Sequence, residues 1–231
     1  MFRDDPHLWR FKSLWCETRK RALTLGCLPA ERHVNGFEPG CANGELSADL
    51  ATRCDQLLRS DGSAMAVQAA RANLRDTPNT AVRRLWLPDE WPDEAFDLIV
   101  VSEVAYYSSK PQLDHLIRCA LRSLTPNGSV VACHWRHHTA GCVMRADEVH
   151  ETLRQGLTMA RLGSHVEEDF HQGINPPTRT ATKPAGNTAK AASSLTSSPT
   201  IKAVEAPQSP MISGKAWPLS GADVGTMFTT L

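Results

Sequence analysis

The sequence lacks a long apolar run and a net charge, and these two absences remove several classes of protein. No apolar run approaches the roughly 20 residues of a membrane-spanning helix, and residues 1–5 (MFRDD) lack the apolar core of a signal peptide. Basic and acidic residues number 25 each, so no excess charge favours nucleic acid or an acidic membrane surface as a partner. We therefore expect a cytoplasmic protein that binds neither of them.

The cysteines lack the spacing of a zinc site or of a disulfide framework. There are seven of them, scattered from Cys16 to Cys142, and no two form a Cys-x-x-Cys pair. An odd, scattered set favours reduced thiols in a cytosolic protein. We expect no resident metal.

The composition changes near residue 171. From there to residue 231 the chain is rich in proline, serine, threonine and alanine, and Glu205 and Asp223 are its only acids. No stretch keeps a period of 2 or 3.6, so this segment cannot bury enough apolar surface to offset the entropy of ordering it. We predict one folded domain over residues 1–170, with an N-terminal helical segment over 1–28, and a disordered tail over 171–231.

Within residues 1–170, short apolar runs alternate with amphipathic stretches. This alternation implies right-handed crossovers and a mostly parallel sheet covered on both faces, which is a doubly wound α/β fold. The run FDLIVVSEV (96–104) is apolar on both faces, as in a central parallel strand. Helices are predicted over residues 9–25, 45–53, 64–74 and 111–124, strands over 55–61, 80–85, 96–104 and 129–135, and a turn over 126–128.

A glycine-rich turn follows the first predicted strand. Residues 36–50 (GFEPGCANGELSADL) place Gly40, Ala42 and Gly44 at alternate positions after Glu38, and Asp61 ends the next strand. In a doubly wound sheet both points lie at the carboxyl ends of adjacent strands, where ligands bind. The glycines would let a ligand approach the backbone, and Asp61 would accept hydrogen bonds from ribose hydroxyls. These features predict a nucleoside-containing cofactor.

The spacing of the turn distinguishes between such cofactors. A dinucleotide turn reads Gly-x-Gly-x-x-Gly around a pyrophosphate, whereas here an acid, Glu38, precedes the first glycine by two residues. A carboxylate suits a cofactor with a cationic amino-acid end. The turn resembles the first motif of the Rossmann-like S-adenosylmethionine-dependent methyltransferases, with Ala42 in place of the middle glycine. Residues 124–131 (LTPNGSVV) similarly resemble the Leu-x-Pro-Gly-Gly that this class has before strand five.

Five stretches resemble, more closely, the nodulation protein S family of that class. They are residues 8–29 (LWRFKSLWCETRKRALTLGCLP), 37–44 (FEPGCANG), 87–92 (LPDEWP), 96–107 (FDLIVVSEVAYY) and 131–142 (VACHWRHHTAGC). The resemblance implies S-adenosylmethionine as cofactor and N-methylation of a small acceptor, the free glucosamine amine of a deacetylated chitooligosaccharide. Cys16 and Asn127 depart from the family's usual tyrosine and glycine, and the resemblance ends after Phe170.

The candidate site residues lie at the predicted strand ends and on the first helix. His134 and Glu103 are candidates to receive the proton of the acceptor, and Tyr106, Tyr107, Trp135 and Arg136 to contact the substrate. Each of these has a competing structural interpretation. His134 would be a structural histidine, Trp86 and Leu87 would be ordinary core residues, and Arg19 would be a charge on the helix surface. The expected cofactor contacts are Arg19, Glu38, Gly40, Ala42, Gly44, Asp61, Ser63, Trp86, Leu87 and Ser102.

The prolines at 176 and 177 predict that the last strand of the sheet is missing or very short. Proline cannot donate to a strand ladder, and the resemblance implies an antiparallel final strand between strands five and six, with strand six supplied by residues 157–166. An absent strand favours a second function, a noncatalytic binding protein on a decayed methyltransferase fold. A nucleotide-dependent oxidoreductase is the third candidate, disfavoured by the position of Glu38 and by the lack of a Tyr-x-x-x-Lys pair.

Overall fold

A computed structural model describes residues 15–137, 141–157 and 162–175, which belong to one unit of the chain, Met1–Lys183. The predicted tail from residue 176 onward and residues 9–14 of the first predicted helix lie outside the described residues. The helices are α1 (Trp15–Gly26), α2 (Glu45–Ala51), α3 (Ala64–Asn73), α4 (Lys110–Ser123) and α5 (Ala146–Gly156), and the strands are β1 (His33–Pro39), β2 (Cys54–Asp61), β3 (Thr80–Arg84), β4 (Phe96–Ser102), β5 (Leu124–Trp135), β6 (Gly163–Val166) and β7 (Phe170–Asn175).

The strands form one mostly parallel sheet in the order β3-β2-β1-β4-β5-β7-β6. Strands β1 to β5 are parallel to one another, and β7 runs antiparallel between β5 and β6. The predicted α/β doubly wound fold is confirmed. The strand order reverses between β1 and β4, and the crevice outside the carboxyl ends of the strands at such a reversal is the usual ligand site of this architecture.

The core lies on both faces of the central strand β4. Leu98, Ile99, Val100 and Val101 are fully buried, and they alternate between two apolar clusters. Ile99 and Val101 pack with the cluster that includes α4 and α5, while Leu98 and Val100 pack with Leu50 of α2. Burying each such side chain contributes about 1.5–3 kcal/mol, so the turn after β4 follows a strand that is packed on both faces.

The prediction of a missing final strand is wrong. Strand β7 spans six residues and pairs with β5 from Val130↔Asn175 to Trp135↔Phe170, and with β6 on its other side. The prolines directly follow Asn175, so the segment before them carries all the described pairing and needs no donor from proline. The sheet therefore continues past residue 170, the boundary expected from the change in composition.

The turn predicted at residues 126–128 also differs from the structure. These residues lie inside β5 at an irregularity of its pairing with β4. While β4 advances two residues, from Phe96 to Leu98, β5 advances five, from Leu124 to Ser129. The Pro-Asn-Gly sequence is accommodated as a bulge, a form in which extra residues interrupt a ladder without ending the strand.

None of the described helices has the length and apolar composition needed to cross a membrane.

The position of β7 predicts how far the chain can be shortened. A chain ending at residue 180 keeps every described strand, whereas one ending at residue 170 leaves β5 and β6 without the strand between them. We expect the shorter chain to lose at least about 3 kcal/mol of unfolding free energy, because buried side chains such as Ile174 are removed. Urea unfolding of both chains against the full protein checks this, and equal stability of the two would contradict the assigned role of β7.

Candidate functional site

A cleft opens at the carboxyl ends of β1 and β4, and α1 forms one of its sides. It encloses about 470 Å³, part of it open to solvent. Its wall consists of Glu17, Lys20, Arg21 and Thr24 from α1, Glu38, Gly40, Cys41, Ala42, Asn43, Glu45 and Leu46 from β1, the following turn and α2, and Ser102 and Glu103 from the end of β4. The structure thus brings the predicted glycine turn and the predicted end of strand four to one cleft.

The turn after β1 owes its spacing to backbone conformation. Gly40, Ala42 and Gly44 all have positive φ, at 74°, 47° and 84°. A β-carbon on Gly40 would lie 2.6 Å from a methyl carbon of Val104, so this glycine also permits the close approach of the turn to the end of β4. Ala42 is the exception, since an L-residue in the left-handed region carries strain of about 1–2 kcal/mol.

Glu38 is a buried carboxyl in the wall of the cleft. It is 2% exposed, and Ser47 donates a hydrogen bond from Oγ to its Oε2. Burial raises the pKa of Glu38 to about 7, although Ser47 and Arg59 oppose the change. A cation brought against this carboxyl would favour its ionised form, so the residue fits the ammonium group of an amino-acid-bearing cofactor.

Asp61 lies directly beside the glycine turn. Its Oδ2 accepts a hydrogen bond from the Ala42 N–H at 3.1 Å, and its Oδ1 accepts one from the Ser63 N–H at 2.8 Å. Burial raises its pKa against these two hydrogen bonds. Each carboxylate oxygen can accept two hydrogen bonds, so both retain a lone pair for a ligand hydroxyl. Ser63 itself caps α3 by accepting from the Ala66 N–H.

Trp86 and Leu87 follow β3 and occupy different environments. Trp86 is 60% exposed, and its ring covers Gly62, where a β-carbon would lie 3.0 Å from Trp86 Cε3. An exposed indole next to Asp61 offers a flat apolar face to a base. Leu87 instead packs against the core cluster, which matches the alternative interpretation of this residue.

Lys20 is a buried cleft residue that sequence reasoning missed. Its Nζ lies 3.0 Å from Glu17 Oε1, 3.2 Å from Glu103 Oε1 and 5.8 Å from the centre of the Trp135 ring. Burial lowers its pKa, but the carboxylates of Glu103 and Glu17 outweigh that effect, so the pKa lies above its ordinary value. A signal was present, since Lys20 and Thr24 are four residues apart and share one face of the helix, and both are buried.

Glu103 is held in a strained conformation at the end of β4. Its φ is 56°, its Oε1 is paired with Lys20 and its Oε2 accepts a hydrogen bond from the Tyr106 hydroxyl. Burial, followed by the charge of Glu103, raises the pKa of Tyr106 well above its usual range, so the phenol acts as a donor here. Strain of this kind persists only where the surroundings enforce it, and it concentrates at functional sites.

Several predicted site residues do not reach the cleft. Arg19 forms a two-pronged ion pair with Glu167 and stacks on Phe170, 5.6 Å from the ring centre. Arg136 makes two hydrogen bonds to Asp147, at 3.0 and 2.9 Å. Both arginines therefore tie elements of the fold to one another.

The aromatic residues after β4 and at the end of β5 are divided between the cleft and its surroundings. Trp135 meets the cleft only through Lys20. Tyr107 is 38% exposed and lies edge-on to Tyr106, with ring centres 4.8 Å apart. His134 is fully buried on the α5 side of the sheet, where both ring nitrogens have partners.

Among the described residues, no group of three or more His, Cys, Asp or Glu side chains is arranged to hold a metal ion.

Comparisons with known proteins agree with this geometry. The family described as "Methyltransferase domain" matches residues 37–128. A putative methyltransferase from Pseudomonas syringae has a crystal structure that is 50% identical, with a TM-score of 0.63, and the match covers 71% of this chain and 99% of that one. The chain belongs to the S-adenosylmethionine-dependent methyltransferases.

Proteins named nodulation protein S or NodS are among those similar to this chain. Nodulation protein S of Rhizobium tropici is 31% identical over 134 residues, which is 55% of this chain and only 54% of that protein's length. The N-methyltransferase NodS of Bradyrhizobium japonicum WM9, solved with S-adenosyl-L-homocysteine, shares the fold at 23% identity and a TM-score of 0.66, covering 74% of this chain and 92% of that one. The chain is thus similar to nodulation protein S, and it spans about half the length of the Rhizobium tropici protein.

The two small residues of the turn predict opposite effects on stability. Gly40→Ala should lower the free energy of unfolding by about 1–3 kcal/mol, because the added methyl group meets Val104 and φ is unfavourable. Ala42→Gly should change it by between zero and about +1 kcal/mol, because relief of strain exceeds the entropic cost of glycine only slightly. Chemical denaturation of both variants checks the pair, and a stable Gly40→Ala protein would contradict the close approach.

The raised pKa of Glu38 predicts that the stability of the protein depends on pH. Its pKa is raised from its ordinary value of 4.5 to about 7, so between these values the folded protein holds a proton that the unfolded chain has released. Glu38 therefore lowers the free energy of unfolding as pH rises across this window, by on the order of 3 kcal/mol. In Glu38→Gln this part of the decline should vanish.

The measurement is urea unfolding at pH 5 and pH 8. Glu45→Gln, in the same cleft but only partly buried, is the matched control and should keep the wild-type decline. A Glu38→Gln protein that declines as steeply as wild type would show that burial of Glu38 is not the cause.

Proposed function

We propose that this protein transfers a methyl group from S-adenosylmethionine to the amine nitrogen of a small molecule, with an amino sugar as the first acceptor to test. The observation that carries the proposal is the carboxylate of Glu103, held in a strained conformation in the wall of the same cleft as Glu38 and the glycine turn. The N-methyltransferase name of a protein with the same fold supports the choice of nitrogen.

The residues present fit the cofactor at each of its ends. Glu38 offers a buried carboxyl for the ammonium group, Gly40 and Ala42 line the cleft beside it, and Asp61 keeps lone pairs for the ribose hydroxyls. Trp86 presents an exposed ring beside Asp61 for the adenine. When bound, S-adenosylmethionine supplies an electrophilic methyl group on a positively charged sulfur.

The charge of the cleft favours a cationic or neutral acceptor over an anionic one. Its wall carries four carboxyl groups and two basic groups. The basic groups are already paired, Lys20 with Glu17 and Glu103, and Arg21 with Asp49. A phosphate-rich acceptor would find no unpaired cation in this wall among the described residues, whereas an amine would meet carboxylates.

Orientation and proton transfer are the tasks left to the protein. The nitrogen must be neutral when it attacks, and an amine that titrates near neutral pH needs only a modest base. Glu103 can take the proton, since its carboxylate lines the cleft and the Tyr106 hydroxyl and Lys20 hold its position. His134 has no route to the acceptor, because its ring is fully buried behind β5.

The two rival functions rest on weaker ground. The noncatalytic protein drew its support from a missing final strand, and β7 is present in the sheet. The oxidoreductase would need a pyrophosphate beside the turn, where the buried carboxyl of Glu38 lies instead.

The test combines binding and transfer. Calorimetry should show that the protein binds S-adenosylhomocysteine and does not bind NAD. With labelled cofactor, label should appear on nitrogen of a deacetylated chitooligosaccharide and be absent from the fully acetylated one, which is the matched control. Glu103→Gln should lower kcat by about 10²-fold or more, while the affinity for S-adenosylhomocysteine stays within about threefold of wild type.

Three results would overturn the proposal at different points. Binding of NAD without binding of S-adenosylhomocysteine would reject S-adenosylmethionine as the cofactor. Label found only on oxygen would reject the amine, and full activity of Glu103→Gln would reject its part in proton transfer.

A further inference from the structure

His134, near the end of β5, contacts the turn after β4 through one ring nitrogen and a histidine of α5 through the other. Its Nε2 accepts a hydrogen bond from the backbone N–H of Ala105 at 3.2 Å, and its Nδ1 lies 3.2 Å from His150 Nε2. The ring is completely buried and lies edge-on to Tyr106, with ring centres 5.3 Å apart. His150 in turn stacks on His171 at 3.8 Å.

These contacts assign the tautomer of His134. Since an N–H of the backbone donates to Nε2, the ring hydrogen must be on Nδ1, from which it donates to His150 Nε2. Burial lowers the pKa of His134 to about 3, so the neutral ring that this pattern needs is the form present near neutral pH. Both nitrogens are then committed to fixed partners.

The Ala105 amide opens the short turn that follows the proposed base, Glu103. Glu103 and Tyr106 lie on either side of it, and Glu103 has the strained φ of 56°. The turn itself, Ala105–Tyr107, is a single 3-10 turn and is too short to enforce such a conformation by its own hydrogen bonds. A strained residue persists only where its surroundings hold it.

We propose that His134 is a positioning residue for methyl transfer, which holds the Glu103–Tyr106 turn in place by accepting the Ala105 N–H through Nε2. This inference rests on the proposed function for its effect on the reaction, but its structural part is independent of it. A positioning role differs from the role of a catalytic base, because a base would need one ring nitrogen that faces the acceptor.

Substitution of His134 by glutamine or by asparagine distinguishes the roles of its two ring nitrogens. In His134→Gln the side-chain oxygen can occupy the place of Nε2 and accept the Ala105 N–H, whereas in His134→Asn the shorter amide reaches only the place of Nδ1. His134→Leu fills the site and accepts no hydrogen bond. If His134 has a positioning role, protection of the Ala105 amide and kcat should both be highest in wild type, lower in His134→Gln, and lowest in His134→Asn and His134→Leu.

The first measurement is hydrogen exchange of the Ala105 amide in the full chain, which needs no activity. Exchange should be about 10- to 100-fold faster in His134→Leu and His134→Asn than in wild type, and much closer to wild type in His134→Gln. The second is kinetics with the acceptor, where Leu and Asn should lower kcat by about tenfold or more. KM for the cofactor should stay within about twofold, since no cofactor contact is removed.

Each outcome decides something. Equal losses of kcat in Gln, Asn and Leu, with unchanged Ala105 exchange, would overturn the proposal and restore His134 as a base. Slow Ala105 exchange in His134→Leu would show that the turn does not depend on this hydrogen bond. If no acceptor is methylated by wild type while the exchange order holds, the proposed function fails and the positioning contact stands. If His134→Leu does not fold, the comparison of Gln with Asn still decides.

Discussion

The site depends on the close approach of two turns at the centre of the sheet. Gly40, after β1, lies against Val104, after β4, so closely that a single methyl group would not fit between them. The buried carboxyl of Glu38 lies just before the first turn, near the end of β1, and Glu103 opens the second turn directly after β4. Because β1 and β4 are neighbouring parallel strands with a packed core beneath them, the two carboxyl groups reach one cleft without a long loop.

Charge is the second constraint on the cleft. Three consecutive basic residues of α1 pair with three different parts of the fold: Arg19 with Glu167, Lys20 with Glu103 and Arg21 with Asp49. Lys20 is the buried one of these, and its pairing is the one that costs desolvation and is stabilised by two carboxylates. The helix that forms a side of the cleft is therefore anchored by ion pairs as well as by packing.

Local sequence patterns predicted the glycine turn and Asp61, on which the proposed cofactor site depends. Alternating positive φ at Gly40, Ala42 and Gly44 is a backbone requirement that small residues reveal, and Asp61 follows from its place at the end of a strand. The substrate half was harder, because neighbouring side chains point in different directions. Among the expected cofactor contacts, Arg19 lies outside the cleft while its neighbour Lys20 lines it, because successive residues of a helix point about 100° apart.

The sequence by itself determined the fold class, the glycine turn and the central strand, because these depend on periodicity and on residue-specific backbone preference. Only the tertiary structure decided that β7 forms up to Asn175, that Glu103 and not His134 meets the cleft, and that His134 accepts a distant amide. These are long-range matters. A strand forms when a neighbouring strand can pair with it, and a buried nitrogen bonds to the partner that packing brings within reach. Neither can be predicted from the residues adjacent in sequence.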